Sequence, residues 1–324
     1  YVEVDGPTCS LHFGVSLLMG NFTGPVYDPL YTNYCILMGK GEHATDAYAP
    51  SVKAFSNAVA RGMKVVSIDP VAKIEGSKGE WIPIKPGTDL AFVLAMQNVI
   101  VHEIKKMDTS FLKRRTNAPY LIGPDGHYVR DKATNKPYVW DATANAPKCF
   151  DDTSVADYAL EGTYEVNGVS CQPGFVIYAN SLLEYTPEWA EGVSTIPAAT
   201  IRRIAKEFVD EACIGQTIAI NGVEYPYRPV CLEFGRGAAT QYYGALAHAS
   251  SIILHMLVGA LDVPGGGGGS LGPAHKCTLV NKALTPDADG IVAPKIELKP
   301  ENDTIVWPPQ KIDGHSFFPY AHDT

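Results

Sequence analysis

The sequence predicts an α/β fold, a doubly wound parallel sheet carrying an irregular β-rich insertion, and three observations lead there. From Tyr34 to Pro70 a short apolar run, a glycine loop, an amphipathic stretch and a second apolar run succeed one another, the pattern of a βαβ unit. From Pro229 to Leu257 another apolar run meets Gly235-Arg236-Gly237 and continues into a mostly apolar stretch of helical length. Between the two, residues 116–172 are broken by Pro, Asp-Gly, Asn-Lys and Asn-Gly, the punctuation of short antiparallel strands.

In chain order, Tyr34-Cys35-Ile36-Leu37-Met38 reads as the first strand and Gly39-Lys40-Gly41 as its loop. The next helix is opened by Pro50, shows Val52, Phe55 and Val59 on one face, and stops at Gly62. Lys64 to Asp69 is the second strand, and Trp81-Ile82-Pro83-Ile84 a third. Lys85-Pro86-Gly87-Thr88-Asp89 then leads into a long helix that Thr88 or Asp89 would cap. Helical signals resume at Thr186–Ala190 and at Ala198–Ala212, where Ile201, Ile204, Ala205 and Phe208 form the buried stripe and Arg202, Arg203 and Lys206 the wet one. Pro229 to Phe234 is a strand, and Tyr243 to Leu257 a buried helix ended by Gly259. The five glycines Gly265 to Gly269 read as a native loop whose backbone lies against a ligand, in preference to an engineered linker. Thr285 to Thr324 is rich in Pro and Asp and reads as coil.

Composition removes several function classes. With 324 residues, 46% hydrophobic and 19% charged, the chain can bury two or more layered cores. A formal net charge of -9 and the lack of any basic stripe argue against a nucleic-acid surface. The longest apolar runs, such as Ile252 to Leu261, fall short of the roughly 20 residues that span a bilayer, so no direct membrane span is expected. Cys9, Cys35, Cys149, Cys171, Cys213, Cys231 and Cys277 include no CxxC pair, so neighbouring thiols assemble neither a zinc site nor a cluster-binding run. The chain opens Tyr1-Val2-Glu3-Val4, without Met or a basic and then apolar targeting segment, and residue 1 is not expected to be a translation start.

The glycine loops at Gly39 and Gly235 suit a dinucleotide, because backbone amides approach phosphates closely only where no Cβ intervenes. Structural glycines explain them equally well. Neither loop is a GxGxxG or a GxxxxGK[ST] motif, so a nicotinamide dehydrogenase or a P-loop NTPase is not supported in its usual form. A carboxylate at Asp69 or Asp89 can accept paired hydrogen bonds from ribose hydroxyls or from guanine N1 and N2, and Asp89 is equally apt as a helix cap. Arg236 can pair with a phosphate bidentately or simply face solvent. Read alone, Cys9 is a buried structural cysteine.

Four stretches in order, ILMGKGEHATDAYAP, RGMKVVSIDPVAKIEGSKGEWIPIKPGTDLAFVLAM, YTPEWAEGVSTIPAATIRRIAKEF and LEFGRGAATQYYGALAHASSIILHMLVGALDVPGG, resemble the large subunit of the molybdopterin oxidoreductases, the dimethyl sulfoxide reductase family. The resemblance covers roughly residues 1 to 270 apart from the insertion, and Ile68-Asp69-Pro70 followed by Pro86-Gly87-Thr88-Asp89 is its most specific part. It implies a bis-molybdopterin guanine dinucleotide cofactor holding Mo or W. Gly39, Lys40, Gly41 and Glu42 would lie along one dinucleotide, and Asp69, Pro70, Gly87 and Asp89 would hold its nucleoside. Gly235, Arg236, Gly237 and Gln241 would approach the pterin and phosphates. GPTCSLHFGVSLLMG resembles the segment that supplies the metal's protein ligand in the cysteine-ligated branch, the polysulfide, thiosulfate and periplasmic nitrate reductases. It makes Cys9 the metal ligand, with His12 one helical turn later as a second catalytic candidate. Ala-Ala-Thr-Gln-Tyr-Tyr at 238–243 departs from a stretch that more often carries histidine.

The expected organisation is a Rossmann-like dinucleotide-binding region with the metal-ligand segment over 1–115, a β-rich insertion over 116–180, a second α/β part over 181–275 and a coil-rich tail over 276–324. The family's N-terminal domain, with its 4Fe-4S cluster, and its C-terminal β-barrel have no match here. The resemblance therefore implies a fragment of a catalytic subunit, in anaerobic respiration on the extracytoplasmic side. Its implied partners are the remaining N- and C-terminal portions, a small-molecule substrate and an iron-sulfur electron-transfer subunit. The rival expectation is a cofactor-free scaffold subunit of a respiratory complex derived from the same fold.

Overall fold

A computed structural model describes residues 26–41, 49–268, 311–312 and 315–316. Cys9, His12 and Glu42 lie outside the described residues. Two compact units divide between Leu271 and Gly272. The first begins with β1 (Val26–Tyr27), β2 (Tyr34–Met38), α1 (Ala49–Arg61), β3 (Lys64–Ile68) and β4 (Glu80–Ile82). Then come α2 (Asp89–Asn98), prolonged by a π-helical segment over Val99–Ile104, and α3 (Thr109–Arg115). The insertion holds β5 (Leu121–Ile122), β6 (Tyr138–Asp141), β7 (Ala146–Cys149), β8 (Tyr164–Val166) and β9 (Val169–Pro173). The chain returns through α4 (Gly174–Ser181), α5 (Pro187–Ser194), α6 (Ala198–Glu211), β10 (Thr217–Ile220), β11 (Val223–Pro226), β12 (Val230–Phe234), α7 (Arg236–Ala239), α8 (Gly244–Val258) and β13 (Gly267–Gly268). In the second unit the described residues form one antiparallel pair, Lys311–Ile312 with His315–Ser316.

The central sheet is parallel, with strand order β12-β2-β3-β4. Val230 stands opposite Tyr34, Ile36 opposite Val66, and Ser67 opposite Trp81. Every residue of β2 and β12 is buried, as continuous apolar runs covered on both faces require. On one face Cys35, Leu37, Val65 and Cys231 pack against Phe55 and Ala58 of α1. On the other, Ile36, Met38, Leu232 and Phe234 join Phe92 and Met96 of α2, Ile201, Ile204 and Phe208 of α6, and Leu254 and Leu257 of α8. A single core thus unites residues before and after the insertion.

Several expectations need correction. The third strand stops at Ile82, because Pro83 has no N–H to continue the ladder. Thr88 occupies the N-cap position of α2, but its hydroxyl donates back to the Lys85 carbonyl (2.6 Å) and makes no cap; Asp89 is the first helical residue. The hairpin β10–β11 was not anticipated, although Asn221-Gly222, both at positive φ, is the strongest short hairpin signal. The glycine run was expected to lie against a ligand, yet from Gly265 to Gly268 its backbone lies against the protein itself. A Cβ on Gly265 (φ 82°) would stand 2.7 Å from Pro229 Cα, and one on Gly266 2.6 Å from the Ala260 carbonyl oxygen. Gly267 and Gly268 pair with β1.

The insertion has its own small core of Leu121, Val166 and Cys171. Its organising residue is Asp141, whose carboxylate takes the Lys148 ammonium (2.7 Å) and the backbone N–H groups of Thr143, Ala156 and Asp157. The positively charged face of α6 is paired: Arg202 binds Glu103 and Glu188, and Arg203 binds Glu80 and Glu207.

Two buried polar links brace the main core. Arg228, just before β12, donates from Nε and Nη2 to Asp108 Oδ2 (3.1 and 2.7 Å) and from Nη1 to the carbonyls of Cys213, Gln216 and Tyr227. Asp108 also caps α3 by accepting from Phe111 N–H. His255 of α8 is fully buried; its Nε2 accepts the Leu232 N–H (3.0 Å), so Nδ1 carries the proton donated to the Ser251 carbonyl (2.7 Å).

Arg228→Met should cost about 3–5 kcal/mol in chemical denaturation, because it strands the Asp108 carboxylate and three carbonyls; a loss near zero would show that solvent replaces the pair. Burial pushes His255 down to about 4. The unfolded chain takes up a proton near pH 6.5 that the native state refuses until about 4. His255 should therefore withdraw on the order of 3 kcal/mol of stability as pH falls between those values. The unfolding midpoint of His255→Leu should be lower than wild type at pH 7.5 and flatter across that window, and parallel pH profiles would refute the neutral assignment.

Candidate functional site: a crevice at the carboxyl end of the sheet

The chain leaves β2 for α1 on one face and leaves β12 for α8 on the other. Neighbouring strands whose connections run to opposite faces open a crevice beyond their carboxyl ends, the usual ligand position in open α/β sheets. Gly39 and Gly235 both stand at this switch point, directly after Met38 and Phe234, which face each other in the sheet.

The two glycine loops pack on each other. Gly235 N–H donates to the Met38 carbonyl (2.8 Å), Gly237 N–H to the Gly39 carbonyl (2.9 Å), and Gly39 N–H to the Ile68 carbonyl (3.0 Å). Gly39 is left-handed, and a Cβ there would lie 2.4 Å from Ala238 N; one on Gly235 would lie 2.4 Å from Lys40 Cβ. The structural explanation of these glycines therefore holds: protein backbone fills the space a side chain would need. Lys40 forms an ion pair with Glu233, a buried carboxylate on β12, which draws its charge inward. Arg236 is exposed at the start of α7, and Gly41 is half-buried at the end of the first loop.

Asp69 follows β3 and is only 5% exposed. Oδ1 accepts from Val71 N–H (3.1 Å), Oδ2 pairs with Lys73 Nζ (2.6 Å), and the Trp81 indole donates to the Asp69 carbonyl (2.8 Å), so the turn is tied to β4. Pro70 is exposed beside it. Asp89, 7% exposed, opens α2 across the crevice. Burial pushes its carboxyl up to about 6; its own backbone N–H pulls back, and the negative charge of Asp69 adds to the rise. Among the described residues no other residue hydrogen-bonds to that carboxyl. A buried carboxylate with few donors is costly, and a ligand that brings N–H or O–H groups to it would relieve that cost.

Gly87 (φ 79°) lies beside Gln241, whose Oε1 would be 3.3 Å from a Cβ at that position; Gln241 Nε2 donates to the Gly237 carbonyl (3.1 Å). Gln241 thus joins the second glycine loop to the loop before α2. Of the residues singled out in the sequence, Gly39, Lys40, Gly235 and Gly237 come together at the switch point, Asp69 and Asp89 interact electrostatically, and Gln241 meets Gly87. Lys73, Trp81 and Glu233 were missed. Only Lys73 had a legible signal, its place four residues after an aspartate. Among the described residues no group of three or more His, Cys, Asp or Glu could hold a metal ion, and no helix is long and apolar enough to cross a membrane.

The family model described as molybdopterin oxidoreductase matches residues 27–312. The sulfite dehydrogenase A chain of Allochromatium vinosum is 29% identical over 299 residues, covering 81% of this chain and 30% of that protein. The alpha chain of the perchlorate reductase of Dechloromonas aromatica is 26% identical over 288 residues, covering 76% of this chain and 29% of that protein. Among solved structures, acetylene hydratase from Pelobacter acetylenicus aligns with a TM-score of 0.48 at 17% identity, over 78% of this chain and 24% of that one. The chain spans about 30% of the length of the two curated relatives described. With the family model matching most of its length, the chain belongs to the molybdopterin oxidoreductase family.

Proposed function

We propose that this chain is the cofactor-binding portion of the catalytic subunit of a molybdenum or tungsten oxidoreductase carrying a bis-molybdopterin guanine dinucleotide. The observation that carries the reading is the buried Asp89, whose carboxyl no other described residue hydrogen-bonds and which feels the charge of Asp69, at the carboxyl end of a parallel sheet in a chain of this family. Guanine N1 and N2 donors, or ribose hydroxyls, are the chemistry those carboxylates lack. The residues present therefore fit the nucleoside end of such a cofactor.

Asp89 would hold the base, and Asp69, fixed by Val71 and Lys73, would take the ribose. The loops at Gly39–Gly41 and Gly235–Gly237 would bring backbone to the phosphates, with Arg236 as a bidentate partner and Gln241 setting the spacing of the two walls. Bound there, the cofactor supplies two-electron chemistry at its metal, while the protein supplies orientation and electrostatics. Cys9 would be the metal's protein ligand, its thiolate being a soft donor suited to Mo or W, with His12 beside it.

Electrons would pass by way of a 4Fe-4S cluster to an iron-sulfur subunit, on the extracytoplasmic side of an anaerobic respiratory chain. The substrate would be a small molecule, in keeping with the names sulfite dehydrogenase, perchlorate reductase and selenate reductase borne by relatives. Metal and pterin analysis of the purified assembly tests the reading: Mo or W with pterin is expected, and absence of both would favour the cofactor-free scaffold.

Asp89→Asn separates cofactor binding from stability. With a folded value of about 6 against 3.8 for a free carboxyl, the native apoprotein holds this proton more tightly than the unfolded chain. The resulting stabilisation is complete below about pH 4 and is lost as pH rises through 6. The variant should be more stable than wild-type apoprotein at pH 8, by on the order of 2–3 kcal/mol, and yet retain less pterin; equal stability and normal occupancy would return Asp89 to a purely structural role. For Cys9→Ala, X-ray absorption at the metal should lose one sulfur while fold and pterin persist, and an unchanged sulfur count would remove Cys9 from the coordination sphere.

A further inference from the structure

A cleft lies at the end of the sheet opposite the crevice, between α3 and the insertion. Asp108, which caps α3, donates its N–H to the Leu257 carbonyl (2.8 Å) and accepts from Arg228 just before β12, so α3 stands at the amino end of the strands. The cleft has a volume of about 630 Å³, within the range of small-molecule sites. Lys113 and Arg114 line it from α3, and Tyr120, Phe150, Asp157 and Tyr158 line it from the insertion. Both walls are held in place: Asp108 caps α3 through Phe111 N–H, and Asp141 accepts the N–H groups of Ala156 and Asp157. Lys113 Nζ pairs with Asp157 Oδ1 (2.7 Å), bridging the walls and cancelling both charges. Among the described residues Arg114 forms no ion pair, so the lining keeps one uncompensated positive charge. The other lining is aromatic. The Tyr120 and Phe150 rings stand 5.5 Å apart at 51°. Burial raises the Tyr120 phenol, helped by Tyr128 and Tyr158 nearby, so it stays a donor. Neither the Tyr120 nor the Tyr158 hydroxyl has a hydrogen-bond partner among the described residues.

We propose that this cleft is a second binding site, one that takes an aromatic monocarboxylate. Its lining sets three requirements that such a ligand meets together. A single uncompensated guanidinium calls for a single negative charge, and its planar fork matches a carboxylate with two parallel hydrogen bonds. The rings of Tyr120, Phe150 and Tyr158 offer a planar body offset-stacked or edge-to-face contact. The free phenol hydroxyls supply further donors to the same anion. A small anion alone satisfies Arg114 and leaves the rings in water, whereas a neutral aromatic covers the rings and strips solvent from the guanidinium. A phosphomonoester brings more negative charge than the lining balances. The five residues of β12, at roughly 3.3 Å each, hold this cleft apart from the crevice at the carboxyl end. Its occupant is therefore distinct from whatever the crevice binds, and the inference does not rest on the reading of the crevice.

Ligand-observed NMR titration of the purified full-length assembly with 1-naphthoate, 1-naphthalenemethanol, 1-naphthyl phosphate and acetate tests this without any enzyme assay. Wild type should bind 1-naphthoate about tenfold or more tightly than the alcohol, which keeps the rings and drops the charge, or acetate, which does the reverse. The phosphate should bind no more tightly than 1-naphthoate. Arg114→Gln should bring 1-naphthoate down to the affinity of the alcohol. Phe150→Leu should weaken 1-naphthoate about threefold and leave acetate unchanged. Circular dichroism checks the fold of both variants, and Phe150→Leu carries the comparison should Arg114→Gln fail to fold. No binding of 1-naphthoate by wild type, an affinity no greater than that of the alcohol, or an affinity unchanged in either folded variant overturns the site. Tighter binding of the phosphate overturns the assignment to a monocarboxylate.

Discussion

The parallel pairing of β2 with β12 is the constraint on which the rest depends. It sets Tyr34 beside Val230 and Met38 beside Phe234, joining two segments far apart in the chain. Because the pairing is in register to the last residue, the loops that follow emerge side by side, and only glycine at 39, 235 and 237 lets them lie in contact. The helices that continue these loops cover opposite faces of the sheet. The crevice is a consequence of that divergence, and the positions of Lys40, Arg236 and Gln241 follow from it.

The interior is strengthened where a parallel sheet is most exposed to error, at its edge. β12 is an edge strand, and an outward N–H there would be an orphan or an invitation to mispairing. His255 answers it from α8, with a neutral imidazole whose tautomer is set by the Ser251 carbonyl. Arg228 ties the start of the same strand to the Asp108 cap of α3. Both devices depend on burial: the low dielectric that makes them strong also makes each intolerant of losing one partner.

The crevice has the opposite character. Asp89 is buried without the compensation that Asp108 and Asp141 receive, and its proton affinity rises accordingly. Asp108 and Asp141 each receive several donors, whereas Asp89 has only its own backbone, and it is this contrast that the proposed ligand would relieve. The mutual packing of the glycine loops points to the complementary lesson. Glycines that look like a phosphate cradle in sequence are needed first to let two loops touch, and any contact with phosphate uses the backbone they leave exposed.

Periodicity and punctuation in the sequence determined the βαβ unit, the amphipathic α6 and the buried α8 closed by Gly259, because local signals govern where such elements begin and end. Short motifs in order determined the family. Asp69 and Asp89 were readable as candidates from their places at a strand end and a helix start. Their interaction was not, since it depends on two loops meeting across a crevice. Tertiary structure alone decided that Thr88 bonds backward and does not cap, that Lys40 turns inward to Glu233, and that the glycine run packs on Pro229 and Ala260. The physical reason is common to all three: a residue's partner is whatever neighbour the folded backbone brings within hydrogen-bonding or contact distance, and Glu233 and Pro229 are remote in sequence from the groups they meet.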